Sequence, residues 1–186
     1  MKIVKIILLS LVGLIALALL AALFVPKTFT VTYTQTINTS QQAVYDYVRI
    51  LGNQTQYNIW VMADKNLNPE IIGTDGTVGA ISKWNSSIDE VGQGEQEITL
   101  LTPDRLELDL RFERPFKGHA KAAYSFKALS ATTTEITSEF YSQANYPINL
   151  PSYIFGKPML QKALTQNVTN IKNILEKAAL STPTNE

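Results

Sequence analysis

Between Leu106 and Glu113 the chain reads Leu-Glu-Leu-Asp-Leu-Arg-Phe-Glu, with every apolar residue on one parity and every charge on the other. Side chains alternate across a strand, so this segment predicts a β-strand with one covered and one wet face. Glu95 to Leu101, Ala120 to Ala128 and Thr134 to Ser142 alternate similarly, the last two placing Tyr124, Phe126, Ile136 and Phe140 on the covered side. Turn formers separate these runs: Gly73, Asp75-Gly76, Gly79, Ser86-Ser87, Gly92, Gly94, Pro103-Asp104, Pro115, Gly118 and the stretch from Ser130 to Thr134. The stretch from Gly73 to Phe140 therefore predicts an antiparallel meander. Thr28 to Ile37 adds an earlier strand, with Phe29, Val31, Tyr33 and Ile37 on one face and mostly threonines on the other.

Helical spacing appears on both sides of this sheet. Asn38-Thr39-Ser40 offers an N-cap, and Ala43, Val44, Tyr47 and Val48 share one face of a short helix that Gly52 should stop. Gln54 to Trp60 predicts a second short helical piece. After a break rich in Pro147, Pro151, Gly156 and Pro158, Leu160, Leu164, Val168, Ile171 and Leu175 recur at helical spacing. This predicts an amphipathic helix of about six turns, with Gln161, Lys162, Asn167, Lys172 and Glu176 on its wet side. A sheet with one apolar face needs a cover, and this helix supplies it. Ser181 to Glu186 reads as a frayed tail.

Ile6 to Val25 contains no charged residue. At about 1.5 Å rise per residue, such a run reaches about 30 Å, the thickness of a bilayer's hydrocarbon core. Lys2, Lys5 and Ala16-Leu17-Ala18 also fit a cleaved signal peptide, but the apolar run continues past Ala18 through Phe24, which favours a retained anchor ended by Pro26. The lysine bias puts the N-terminus in the cytoplasm and the folded domain outside it. The predicted organisation is an anchor over 1–26, one domain over 27–180 and a tail over 181–186.

With 186 residues there is room for one domain with a substantial core. Beyond Lys2 and Lys5 the chain has 14 basic against 16 acidic residues and no clustered basic field, which argues against a nucleic-acid surface. Cysteine is absent, which excludes disulfides, thiolate catalysis and cysteine-ligated metals. Gly92-Gln93-Gly94 lies at a strand start with no helix after it, so it does not read as a phosphate cradle, and no cofactor signature is present. His119 falls on the parity opposite Tyr124 and Phe126, as expected of a surface histidine. Glu95 and Glu97 share a face opposite Ile98 and Leu100, which places this carboxylate pair on the solvent side. Glu107, Asp109, Arg111 and Glu113 form a charged stripe that predicts cross-strand ion pairs.

Strand, short helices, six further strands and a long terminal helix is the order of an α+β helix-grip fold, a curved antiparallel sheet of about seven strands wrapped around its last helix. From about Thr30 to Glu176 the residues resemble the SRPBCC superfamily of START-like, Bet v 1-like proteins, specifically its membrane-anchored polyketide cyclase/dehydrase-like group. The resemblance rests on Gly76-Thr-Val-Gly79-Ala80 with Trp84, on Val91-Gly-Gln-Gly94-Glu-Gln-Glu97-Ile98 and on Phe112-Glu-Arg-Pro115-Phe116. Thr134-Glu-Ile-Thr137 and the Trp60/Asp64 pair extend it. These are structural signatures, and the resemblance implies a cavity between sheet and helix.

Cavity-lining candidates are Trp60, Trp84, Phe112, Tyr124, Phe126 and Phe140. Pocket lining and core filling look alike in sequence, since both are apolar and alternate. The resemblance implies that Trp60, Trp84 and Tyr124 sit where similar proteins hold a hydrophobic ligand, with the indole and phenol groups needing a polar partner inside. The favoured reading is a membrane-tethered domain that binds a lipid or other hydrophobic small molecule without turnover. A cyclase, dehydratase or hydrolase-like enzyme would require a buried carboxylate or a tyrosine–carboxylate pair in the cavity, and an interaction module at the membrane would have a filled core.

Overall fold

The computed structural model describes residues 2–181. Helix α1 (Lys2–Ala22) is apolar around its whole circumference and only its last residue, Ala22, is buried. It is long and apolar enough to cross a membrane. It ends four residues before Pro26, because the chain turns at Leu23 and Phe24, so the proline does not itself terminate the helix.

Strand β1 (Thr28–Ile37) follows, then α2 (Gln41–Arg49), whose first turn is capped by Ser40 accepting from the Ala43 amide. A single 3₁₀ turn at Leu51–Asn53 is held by Asp75, whose two carboxylate oxygens accept from the amides of Leu51 and Gly52 at 2.8 and 3.0 Å. The helical piece expected over 54–60 is two pieces, α3 (Gln54–Tyr57) and α4 (Ile59–Ala63). Asn58 divides them: its extended backbone ends α3 and its side chain accepts from the Trp60 amide to start α4.

Strands β2 (Glu70–Ile72), β3 (Ile81–Asn85), β4 (Gln93–Thr102), β5 (Arg105–Arg114), β6 (Gly118–Ser130) and β7 (Thr133–Gln143) complete one antiparallel sheet. Its order is β1-β7-β6-β5-β4-β3-β2, so the first strand pairs with the last. Such a sheet must curl to bury its inner face against one helix. A register shift between Ile98 and Leu100 turns Leu100 outward, so it does not share the inner face with Ile98 as strict alternation predicted.

A short turn α5 (Asn149–Pro151) runs through a π turn at Ser152–Gly156 into α6 (Lys157–Ser181), the 25-residue helix that lies across the sheet. Ser181 closes α6; the remainder of the expected tail, 182–186, lies outside the described residues. Leu164, Val168, Ile171 and Leu175 are buried, the last three in one core with Ile37, Val44, Val48, Leu51, Ile98, Leu106 and Ile136. Each such side chain, fully buried, contributes about 1.5–3 kcal/mol. Asn167 is not on the wet side. It is buried, and its side-chain oxygen accepts from the Ile59 amide at 2.9 Å, tying α6 to the start of α4. The far end of α6 is fixed to β1 by Lys172, which donates to the Thr36 carbonyl, and by Glu176, which accepts from the Asn38 amide. The result is the helix-grip architecture.

Candidate functional site

An apolar cavity of about 250 Å³ lies between the sheet, α4 and the first turn of α6. Trp84 of β3, Leu110 and Phe112 of β5 and Phe140 of β7 form its sheet wall, while Trp60 and Val61 of α4 and Met159 and Leu160 of α6 close the opposite side. Small-molecule sites commonly measure about 300–1,000 Å³, so this cavity suits a small ligand or one part of a larger one.

Two glycines make this wall possible. A Cβ on Gly94 would stand 2.7 Å from the Trp84 ring and 2.5 Å from the Arg111 carbonyl, so the indole lies directly over a residue that must lack a side chain. Gly92 has φ of +66°, and a Cβ there would overlap the Arg114 carbonyl at the end of β5. Gly92 and Gly94 thus draw the β3–β4 connection against the rim of the cavity. Trp84 meets Phe112 edge-on, with centroids 5.9 Å apart. Its indole N–H donates to the Val91 carbonyl at 3.2 Å, so the polar partner it needs is the protein's own backbone.

The polar lining is concentrated in one amide pair. Gln54 and Gln96, both buried, exchange reciprocal hydrogen bonds: Gln96 Nε2 donates to Gln54 Oε1 at 2.8 Å and Gln54 Nε2 donates to Gln96 Oε1 at 3.2 Å. Asn58 Nδ2 adds a third bond, to Gln54 Oε1 at 3.0 Å. A primary amide has two N–H donors and an oxygen with two lone pairs, so each glutamine keeps one donor, and Gln96 one acceptor site, for a further partner. The ionisable lining groups are Glu90, which is exposed, and Arg114. Arg114 is engaged on its own side by Gln93, Asn85 and the Ser86 carbonyl.

Of the six aromatic candidates, Trp60, Trp84, Phe112 and Phe140 come together at this cavity. Tyr124 and Phe126 do not line it; they belong to the core cluster beside α2 and α3, where Phe126 meets Tyr45 edge-on at 5.6 Å. The Tyr57 hydroxyl is buried near Tyr124 without a hydrogen-bond partner of normal geometry. Burial pushes both phenols above their ordinary pKa, Tyr57 well above it, so both are neutral. Gln54, Gln96 and Asn58 were not foreseen, although Gln96 shares the inward parity of Gly94 and Ile98.

Asp64 is a buried carboxylate outside the cavity lining, accepting from the Ser86 hydroxyl at 2.6 Å, whereas the charged stripe of the sheet faces outward. Arg111 reaches Glu95 at 2.6 Å, Glu97 at 2.8 Å and Asp109 at 3.0 Å, and Asp109 also meets the exposed His119 at 2.8 Å. Arg105 spans Glu107 and Glu139 in the same way. The Arg111 guanidinium holds the Glu95 carboxyl below its ordinary range, the reverse of what a general acid requires. Partly exposed pairs of this kind contribute little each, about 0–1 kcal/mol. Among the described residues no group of three or more histidine, cysteine or carboxylate side chains is placed to hold a metal ion.

No protein-family model and no curated protein matches the sequence. Solved structures do match it in shape. Norcoclaurine synthase from Thalictrum flavum, in a structure with dopamine and hydroxybenzaldehyde, superimposes with a TM-score of 0.59 at 12% identity, over 84% of this chain and 90% of its own. Ara h 8.0201 matches with a TM-score of 0.56 at 13% identity, over 83% of this chain and 99% of its own. DynU16, from the dynemicin biosynthetic locus, gives 0.56 at 14% identity over 80% of this chain, which spans only 48% of DynU16. These structures are of the SRPBCC, Bet v 1-like superfamily, and the chain has their fold.

Proposed function

We propose that this chain is a membrane-tethered helix-grip domain that binds a hydrophobic small molecule or a lipid segment in the cavity between β3, β5, β7 and α6. One observation carries the reading: a cavity of about 250 Å³ walled by Trp60, Trp84, Phe112 and Phe140 also holds a buried glutamine pair with unused hydrogen-bonding capacity. An apolar wall with a few placed polar groups is the usual make-up of a small-molecule site. The chemistry fits a ligand with an apolar body and one carbonyl or hydroxyl group, which could accept from Gln54 or Gln96 or donate to Gln96. Norcoclaurine synthase, which shares the fold, holds two small aromatic molecules in its structure, and an apolar occupant here is in keeping with that.

Binding is favoured over turnover because the cavity's interior polar groups are amides, which do not titrate. The carboxylates weighed as catalysts, Glu95 and Glu97, sit on the outer face with Arg111. The test is native mass spectrometry of the full chain released in detergent from its own membranes, followed by titration with an apolar fluorescent probe. The chain has two tryptophans, Trp60 and Trp84, and both line the cavity, so intrinsic emission reports occupancy directly. A bound species of defined mass, displaced by the probe with a change in tryptophan emission, is the expected result. An empty protein whose emission ignores every apolar probe would overturn the reading.

A further inference from the structure

The end of the sheet from which α1 departs also carries exposed residues of the cavity lining, Glu90, Pro115 and Met159. Thr28, first in β1, pairs with Gln143, last in β7; Ser142 pairs with Ala120, and Gly118 at the start of β6 pairs with Phe112 near the end of β5. The turn at 115–117 therefore projects from the same rim as Lys27. The first turn of α6 is there too: Gln161 donates to the Thr32 carbonyl while Glu176, fifteen residues on, meets Asn38, so α6 runs alongside β1 with its N-terminal end at the rim. Tyr153, just before α6, packs edge-on against Phe29 at 5.8 Å.

This rim is studded with apolar side chains turned away from the protein. Phe116 is 84% exposed, Phe155 72%, Ile148 63% and Ile154 51%, beside Phe24 at the end of α1. Lys27, Lys117 and Lys157 stand among them, Lys117 within 3.6 Å of Glu113 and Lys157 over the Tyr153 ring. Apolar tips with intervening lysines are the composition of a surface that sits in a bilayer interface. The same segment grips the anchor. Asn149, buried between Ile148 and Ile154, donates through Nδ2 to the carbonyls of Ala22 at 2.7 Å and Val25 at 2.8 Å. The Ala22 carbonyl is one that the end of α1 leaves without a helical partner, and Val25 lies three residues beyond it. The segment that carries Ile148, Ile154 and Phe155 is thus tied through Asn149 to the point where an apolar helix leaves the protein.

We propose that this rim lies on the bilayer, with Phe116 and Phe155 inserted at its interface, and that the cavity opens onto the membrane there and exchanges its ligand with it. Met159 joins the two features, since it lines the cavity and is exposed next to the π turn. The inference rests on reading α1 as an anchor and the cavity as a binding site. It adds an orientation and a source for the ligand, namely molecules dissolved in the membrane.

The chain has no cysteine, so single-cysteine variants can be labelled in the full protein. Phe116→Cys, Phe155→Cys and Met159→Cys would carry an environment-sensitive fluorophore, with Lys127→Cys as control. Lys127 lies nine residues along β6 from Gly118, about 30 Å from the rim. Reconstituted into phosphatidylcholine–phosphatidylglycerol vesicles containing a spin-labelled lipid, positions 116, 155 and 159 should be quenched roughly twofold or more and position 127 hardly at all, since interfacial side chains sit about 5–10 Å into the headgroup boundary. Equal quenching at all four positions, with the protein still resistant to alkaline extraction, would overturn the orientation and leave the anchor standing. Quenching at 116 and 155 but not at 159 would overturn the exchange route. Release by alkaline extraction would overturn the anchor, and this proposal with it.

Discussion

Replacing Gln96 with leucine removes the reciprocal amide bonds of 2.8 and 3.2 Å and leaves Gln54 Nε2 facing an apolar wall, while Gln54 Oε1 keeps its bond from Asn58. A buried donor stripped of its partner costs about 1–3 kcal/mol. Gln54→Leu strips the Gln96 amide and also the Asn58 donor, so it should cost roughly 1 kcal/mol more. Replacing both with leucine removes the two amides together and leaves only Asn58 Nδ2 without its acceptor, so the double variant should come within roughly 1 kcal/mol of the wild type. The cycle then shows a coupling of roughly 2–6 kcal/mol. For a domain of this size, 1 kcal/mol shifts the melting temperature by about 2–4 °C, so Gln96→Leu should melt roughly 2–12 °C lower and Gln54→Leu roughly 4–16 °C lower. Thermal unfolding of the full chain in detergent, followed by circular dichroism, reads all four proteins. Affinity should separate from stability: the double variant folds but loses discrimination for probes bearing a carbonyl or hydroxyl. Single substitutions costing under about 0.5 kcal/mol would mean that water reaches the pair freely. Purely additive losses would mean that the two amides are not coupled, and either result would refute the reasoning.

Three further outcomes follow from the geometry. Gly94→Ala would press a methyl group against the Arg111 carbonyl and the Trp84 ring, costing about 1–3 kcal/mol and shifting the tryptophan emission as the indole is displaced; unchanged emission would show that Trp84 does not rest on Gly94. Asn149→Ala should free the 23–27 segment from the domain, so limited proteolysis there should accelerate roughly tenfold or more if opening precedes cleavage; an unchanged rate would show that Asn149 does not hold α1. Acid should destabilise the fold. The Ser86 hydroxyl lowers the Asp64 pKa, Arg111 that of Glu95 and Lys172 that of Glu176. Each folded carboxyl releases its proton more readily than the unfolded one, so its stabilisation is complete above the ordinary values of 3.8 and 4.5 and is lost as the pH falls through the lower folded values. Urea midpoints should hold from about pH 7 to about pH 5 and then fall, less steeply in Asp64→Asn; a midpoint that rises on acidification would contradict the sign.

The sheet was legible because period-two alternation is a direct print of burial. Leu106, Leu108 and Leu110 face inward while Glu107, Asp109 and Arg111 face out, as the pattern required. Legibility failed where one residue broke the period. The shift at Thr99 turns Leu100 outward, and nothing in the run Ile98-Thr99-Leu100-Leu101 distinguishes a bulge from continued alternation. On α6, polarity misled: Asn167 follows Leu164 by three and precedes Ile171 by four, which places it on the buried stripe. Its burial is made tolerable by a partner, the Ile59 amide, supplied by a helix start more than a hundred residues away in sequence. No local rule contains that partner.

The same distinction separates the two halves of the cavity. Its aromatic wall could be named from the sequence because apolar residues of inward parity must be covered by something. Its polar floor could not be named, because a glutamine on an inward parity is ordinarily a cost, and only the meeting of Gln54 with Gln96, forty-two positions apart, turns it into a satisfied pair. Buried amides do little for a core that leucine could fill more simply. Their presence beside an open volume, with donors and an acceptor unused, is the observation on which the proposed ligand site rests. Asn149 follows this logic at the opposite scale. One amide on α5 bonds the Ala22 carbonyl at the end of α1 and the Val25 carbonyl just beyond it, tying the departing apolar helix to the segment that leads into α6. In both places the functional information lies in polar residues that are inside, and hydrophobic periodicity is silent about those.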